Sequence, residues 1–344
     1  MSEKSRIEWT DSTFNPWEGC AKVGPGCDHC YAESRNARFA GGTAVNWGHG
    51  APRRRTSPAN WRKPLAWEAA HAEFFAAHGR RQRVFCASLA DVFDNAVDPS
   101  WREDLFALIR CTPNLDWLLL TKRIGNVPAM VSIISGWLPD NVWLGATIVN
   151  QAEADRDIPK LLAVPAHVRF LSMEPLLGPV TIRSWLTPHC ERHPGPLESD
   201  GKCEVCEGRG IWGIADDAEL QEHERAPIRE GVDWVIAGGE SGPNARPMHP
   251  DWALSLRDQC AAYGVPFLFK QWGEWREPAA GERYNTTMGR AQRVPAFIVS
   301  KTGTVHCFEN DQTRDGGRTM LRVGKRAAGR LLDGRTHDEF PEAR

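Results

Sequence analysis

The sequence predicts an α/β protein built on a partial or complete parallel (β/α) barrel, TIM-barrel-like in outline. Three observations predict it. Six short runs are almost continuously apolar, as strands buried on both faces are. Helix-like segments lie between them, and that alternation favours a parallel sheet. Each run ends in polar residues, as barrel strands do where they open into the loops of the C-terminal face. The runs are 83–91, 116–123, 141–150, 168–175, 233–240 and 265–271.

The intervening helices carry their own punctuation. Segment 99–111 has Ser100 as its N-cap and Glu103 three residues on. Segment 150–162 is charged and amphipathic. Segment 251–263 follows a proline, places Leu254, Leu256 and Cys260 on an apolar side, and stops at Gly264. A barrel domain is expected over 1–275, interrupted by a polar insertion at 183–230 and followed by an extension at 276–344. Residues 40–64, rich in Gly, Pro and Arg, read as a loop. The extension holds a hairpin that turns at Thr302-Gly303 and a short basic helix near Lys325.

Composition narrows the class. The 344 residues are 41% hydrophobic and 25% charged, which is globular rather than disordered. A formal net charge of -2 gives no bulk attraction to nucleic acid, so any such affinity would need a local patch. No run approaches the ~18 apolar residues of a membrane span, and the polar N-terminal run has no apolar signal core. No membrane association and a cytoplasmic location are therefore expected, where thiols stay reduced. Among the ten cysteines, the clustered ones read as metal ligands. Cys86, Cys111, Cys260 and Cys307 read as buried hydrophobes. The fifteen tryptophans read as core and packing residues before base-stacking ones.

Cys20, Cys27 and Cys30 stand in the spacing Cys-x6-Cys-x2-Cys, with Gly24, Pro25 and Gly26 letting the loop wrap tightly. A helix beginning near Tyr31 would put its N-terminus beside the thiolates. Three readings compete. Structural zinc wants four closed ligands, and the neighbouring His29 is awkwardly placed to be the fourth. A disulfide fits a reducing compartment poorly. An iron–sulfur cubane takes three thiolates and keeps one iron open, and this reading is preferred.

The run from Ile7 through Phe14-Asn-Pro-Trp-Glu-Gly-Cys20 to Cys27-Asp-His-Cys30-Tyr-Ala-Glu33 resembles the phage Gp37/Gp68 family, the three-Cys-motif proteins. The likeness continues through Ser172-Met-Glu-Pro-Leu-Leu-Gly178, Ala237-Gly-Gly-Glu-Ser-Gly-Pro-Asn-Ala-Arg-Pro247 and Phe269-Lys-Gln-Trp-Gly-Glu274. That family is viewed as related to radical S-adenosylmethionine enzymes. The resemblance implies a radical-SAM type of barrel and a [4Fe-4S] cluster whose open iron chelates S-adenosyl-L-methionine. It also implies an electron donor and the formation of a 5′-deoxyadenosyl radical. The spacing departs from the superfamily's usual Cys-x3-Cys-x2-Cys by three residues, and Gly238-Gly239-Glu240 ends a late strand rather than an early one. A phage-encoded chain would work in the host cytoplasm.

S-adenosylmethionine offers an amine, a carboxylate, a ribose and an adenine. The polar strand ends Asp91, Asn150, Glu174 and Glu240 are the expected cofactor contacts, and Lys122 and Lys270 the expected substrate contacts. A second cluster, Cys190, His193, Cys203 and Cys206, has zinc-knuckle spacing inside the insertion. Arg53, Arg54 and Arg55 lie close in sequence to Trp61 and Trp67, a basic-aromatic pattern that suits nucleic-acid phosphates and bases. The competing class is a non-catalytic iron–sulfur or zinc protein that binds nucleic acid or a partner protein, or senses redox state.

Overall fold

A computed structural model of the chain describes residues 5, 7–134, 136–186, 189–190, 228–229, 231–282, 296–306 and 316–341. Seven strands form one sheet. They are β1 (Ser12–Thr13), β2 (Gln82–Cys86), β3 (Leu115–Thr121), β4 (Val142–Thr147), β5 (Val168–Met173), β6 (Trp234–Gly238) and β7 (Phe267–Gln271). They lie side by side in chain order, and every neighbouring pair is parallel. The sheet curls into a half-barrel, with β1 and β7 as its edges. The barrel is thus partial. Its two-residue first strand is too short and too polar to show as an apolar run.

Helices lie between the strands, among them α1 (Tyr31–Phe39), α2 (Pro99–Arg110), α3 (Val127–Ile134), α4 (Gln151–Leu162) and α5 (Pro250–Ala262), with further ones at Pro58–Trp61, Lys63–Ala69, His71–His78 and Arg183–Leu186. The N-cap of α2 is Asp98, which accepts from the Ser100 N–H at 2.9 Å. Ser100 is therefore inside the helix, because Pro99 takes the first helical position, where its missing N–H costs nothing. His249 caps α5 by accepting from the Asp251 N–H.

Strand alternation sorts the side chains into two cores. Val84, Trp117, Leu119, Leu144, Leu171, Val235 and Phe269 point outward to the helices. Phe85, Leu118, Trp143, Phe170, Trp234, Ile236 and Leu268 fill the concave face. Gly145 makes room there, since a Cβ on it would lie 2.3 Å from the Phe170 ring. Trp9 closes this inner core with its ring 4.5 Å from Phe85 and 6.4 Å from Trp234.

The chain beyond β7 first makes a separate four-stranded sheet from β8 (Trp275–Arg276), β9 (Ala296–Val299), β10 (Val305–His306) and β11 (Arg318–Arg322). The expected hairpin is the antiparallel β9–β10 pair. Residues 337–340 then return along the free edge of β7. Phe269 N–H donates to His337 O at 3.0 Å, and the Phe340 ring sits 5.0 Å from Trp234. Covering an edge in this way removes a template for unwanted strand pairing.

Candidate functional site

The inward columns that form the aromatic core change character toward the strand C-termini. Leu118 and Leu120 lead to Lys122, Trp143 and Gly145 to Thr147, Phe170 to Ser172 and Glu174, and Leu268 to Lys270. A polar mouth thus sits on an apolar floor, at the end of the sheet where parallel α/β folds place their chemistry. Lys122 Nζ donates to Thr147 Oγ1 at 3.3 Å. Lys270 Nζ and Glu174 Oε2 form an ion pair of 3.1 Å.

The cysteine loop roofs this mouth. The Gly19 N–H donates to Leu89 O at 3.1 Å, which ties the loop to the segment after β2. Gly26 approaches so closely that a Cβ on it would lie 2.8 Å from Val149 Cγ1, with Lys122 and Pro175 also near. Gly24 has the same need, because its Cβ would meet Glu153 Oε1 at 2.8 Å. The Gly-Pro-Gly run is therefore shaped by contact with the strand ends beneath it.

Two clamps hold the loop. Arg246 donates to Glu240 from Nη2 at 2.6 Å, from Nε at 2.9 Å and from its backbone N–H at 2.7 Å. It also donates to Pro25 O at 2.9 Å and to Asp28 at 3.1 Å. His29 Nδ1 lies 3.0 Å from Glu240 Oε2, and since a carboxylate only accepts, the ring proton sits on Nδ1. Burial works to raise the Glu240 pKa, but the bonds from Arg246 and His29 outweigh it and hold the carboxyl below its ordinary range.

The second clamp is Arg123, just past β3. It donates to Cys20 Sγ at 3.4 Å and Asp91 Oδ2 at 3.0 Å from Nη1, and to Ala21 O at 2.8 Å from Nη2. Asp94 lies behind it at 3.9 Å. Burial pushes the Cys20 thiol up to about 11, against the pull of the neighbouring guanidinium. Cys27 is buried, Cys20 and Cys30 are half-buried, and all three are free thiols. Cys30 is the N-cap residue of α1, so the thiol-bearing loop runs directly into that helix.

Several expected contacts prove to be occupied within the protein. Asp91 accepts from the Phe93 and Lys122 N–H groups, the Thr121 hydroxyl and Arg123. Asn150 caps α4, accepting from the Glu153 N–H at 2.9 Å. Glu240 is the loop clamp described above. Gly238 leaves space for the Glu174 carboxylate, and Gly239 for the Trp272 backbone, whose oxygen a Cβ would meet at 2.1 Å. Of the strand-end residues, Lys122, Glu174 and Lys270 keep side chains at the mouth.

The three arginines go separate ways. Arg53 is buried, with Nε 2.7 Å from Asp94 Oδ2. Arg54 pairs with Glu18, and Arg55 pairs with Asp104 while lying 4.3 Å over the Trp61 ring. Trp61 and Trp67 pack against the core. Of the scattered cysteines, Cys86 and Cys260 are buried as expected, but Cys111 is exposed at the end of α2, one residue beyond its last turn. His193, Cys203, Cys206 and Cys307 lie outside the described residues, as does the side chain of Cys190.

Among the described residues, no three His, Cys, Asp or Glu side chains converge closely enough to hold one metal ion. Nor is any helix of the described residues long and apolar enough to cross a membrane. Sequence reasoning overlooked Arg246 and the clamping role of Arg123. Their signals were present, since Arg246 follows the Gly-Gly-Glu run by a few residues and Arg123 ends an apolar strand.

A parallel half-barrel with a thiol-bearing loop over its C-terminal mouth defines the class of architecture. The chain belongs to the family described as protein of unknown function (DUF5131), whose model matches residues 4–341. No curated protein matches it.

Proposed function

We propose that the chain is an iron–sulfur enzyme of the radical S-adenosylmethionine type, with Cys20, Cys27 and Cys30 as the ligands of a [4Fe-4S] cluster. The observation that carries this reading is that three free thiols stand on one clamped loop, whose Gly-Pro-Gly run lies against the polar mouth of a parallel half-barrel. The donor set fits the group. Three unbridged, sheltered thiols suit a cubane, which spreads its ligands over separate irons instead of gathering them on one ion. An arginine N–H reaches one of the sulfurs, as is common around such clusters. The sequence resemblance to the three-Cys-motif phage proteins supports the same assignment.

A cluster held by Cys20, Cys27 and Cys30 would supply one-electron reduction of bound S-adenosylmethionine, breaking a carbon–sulfur bond of its sulfonium and releasing methionine. The protein's own residues orient and shelter. Glu174 offers a carboxylate to the cofactor's amine, and Lys270 pairs with that carboxylate at 3.1 Å. Lys122 and Thr147 present donors to a carboxylate or ribose. Phe170, Ile236 and Leu120 form an apolar floor that keeps water from below.

Anaerobic reconstitution with iron and sulfide, then reduction in the presence of S-adenosylmethionine, tests the reading. About four irons per chain and release of 5′-deoxyadenosine are expected. A protein that refuses iron overturns the assignment. One that builds the cluster but never releases 5′-deoxyadenosine is a non-catalytic iron–sulfur protein instead.

A further inference from the structure

Arg123 donates a hydrogen bond from Nη1 to the sulfur of Cys20 in the loop, at 3.4 Å. Its other contacts make that approach deliberate in its geometry. One face of the guanidinium is fixed by Asp91 at 3.0 Å, and Asp94 stands at 3.9 Å. A second donor grips Ala21 O, the carbonyl next to Cys20. The side chain is 9% exposed, so its charge is poorly screened by water. A residue needed only to brace the loop would be satisfied by the Ala21 carbonyl and the two aspartates.

We propose that Arg123 sets the reduction potential of the cluster through Cys20, as a positioning and electrostatic residue rather than a catalytic one. This rests on the cluster assignment above. A cluster gains negative charge on reduction, and that charge is shared with its thiolates. An N–H donor and a fixed positive charge beside one thiolate stabilise the reduced form more than the oxidised form, which raises the potential. Asp91 and Asp94 oppose this by their charge but hold the guanidinium in place, so the pair of acids and the arginine act as one tuned unit. The consequence for function is a cluster that accepts its electron from a milder donor than an unassisted one would need.

The experiment is a redox titration of the reconstituted protein, followed by electron paramagnetic resonance, on wild type, Arg123→Gln and Arg123→Lys. Iron and sulfide per chain are measured first. With wild-type iron content, Arg123→Gln is expected to titrate at a more negative potential, and Arg123→Lys to lie between the two because it keeps the charge but loses the fork. If both variants carry wild-type iron and titrate with the wild type, the proposal is overturned while the cluster assignment stands. If Arg123→Gln does not fold, Arg123→Lys decides alone: a potential below wild type supports the role, and an unchanged one removes it. Wild-type protein that takes up no iron refutes the cluster assignment itself, and this role falls with it.

Discussion

Glu240→Gln is the sharpest probe of the roof over the mouth. Three donors converge on Glu240 Oε2: the Arg246 N–H, Arg246 Nε and His29 Nδ1. In the variant the amide oxygen takes that place, and the amide nitrogen then faces Arg246 Nη2, donor against donor. One charge-assisted bond is lost and the Arg246 charge loses its nearest counter-ion. Removing one partner of a buried pair costs ~3–5 kcal/mol, and the low end, about 3 kcal/mol, applies because Arg246 is partly hydrated and keeps Asp28. For a chain of this length each kcal/mol moves the midpoint by about 1–2 °C, so Tm should fall by roughly 4 °C. If the loss is local to the loop, alkylation of Cys27 and Cys30 in the metal-free protein should accelerate by up to about 100-fold, since 1.4 kcal/mol is about tenfold. Cys86, fully buried at the end of β2, is the internal control. Mass-spectrometric rates for Cys27 and Cys30 that match the wild type, together with an unchanged Tm, would refute the clamp.

Other outcomes follow from the same geometry. Glu240 also carries a pH signature: its folded pKa is depressed, so its contribution is present above the unfolded value of about 4.3 and is lost as pH falls through the lower folded value. Acid titration of stability should therefore be steeper in the wild type than in Glu240→Gln over that window. Gly145→Ala forces a methyl onto the Phe170 ring and should cost about 1–3 kcal/mol, read as a lower urea midpoint at constant m-value. Cys27→Ser should abolish iron uptake while leaving any zinc held by Cys190, His193, Cys203 and Cys206, which metal analysis of the two proteins compares directly. Glu174→Gln should leave iron content unchanged and weaken S-adenosylmethionine binding by about tenfold, the worth of one charge-assisted bond. Equal calorimetric affinity in both proteins would remove Glu174 from the cofactor contacts.

The six long strands were legible because a strand buried on both faces must be apolar along its length, as β3 and β4 are. The first strand was not, because two residues, Ser12 and Thr13, leave no pattern. Closure of the barrel was equally hidden, since it depends on which edges meet. Within the site, the cysteine spacing announced the loop, but the meaning of each strand-end acid did not follow from its place. Asp91 and Glu174 end neighbouring types of run, yet one spends every acceptor on Thr121, Lys122, Arg123 and Phe93 while the other meets a single lysine. The difference lies in partners supplied by other strands, which no local pattern encodes. The glycines at 238 and 239 show the same limit. They answer to the Glu174 carboxylate and the Trp272 backbone, neighbours brought in by tertiary structure.

The inner core has a consequence for how the molecule is made. Its aromatic floor is sealed at Trp234 by Trp9 from before the first strand and by Phe340 from the returning segment. During translation every sheet strand leaves the ribosome before residues 337–340 do. Until then the half-barrel has Trp234 covered on the Trp9 side but not by Phe340, and the edge of β7 is bare, the state in which a strand from another chain can dock there. Arrival of residues 337–340 covers that edge and completes the seal over Trp234.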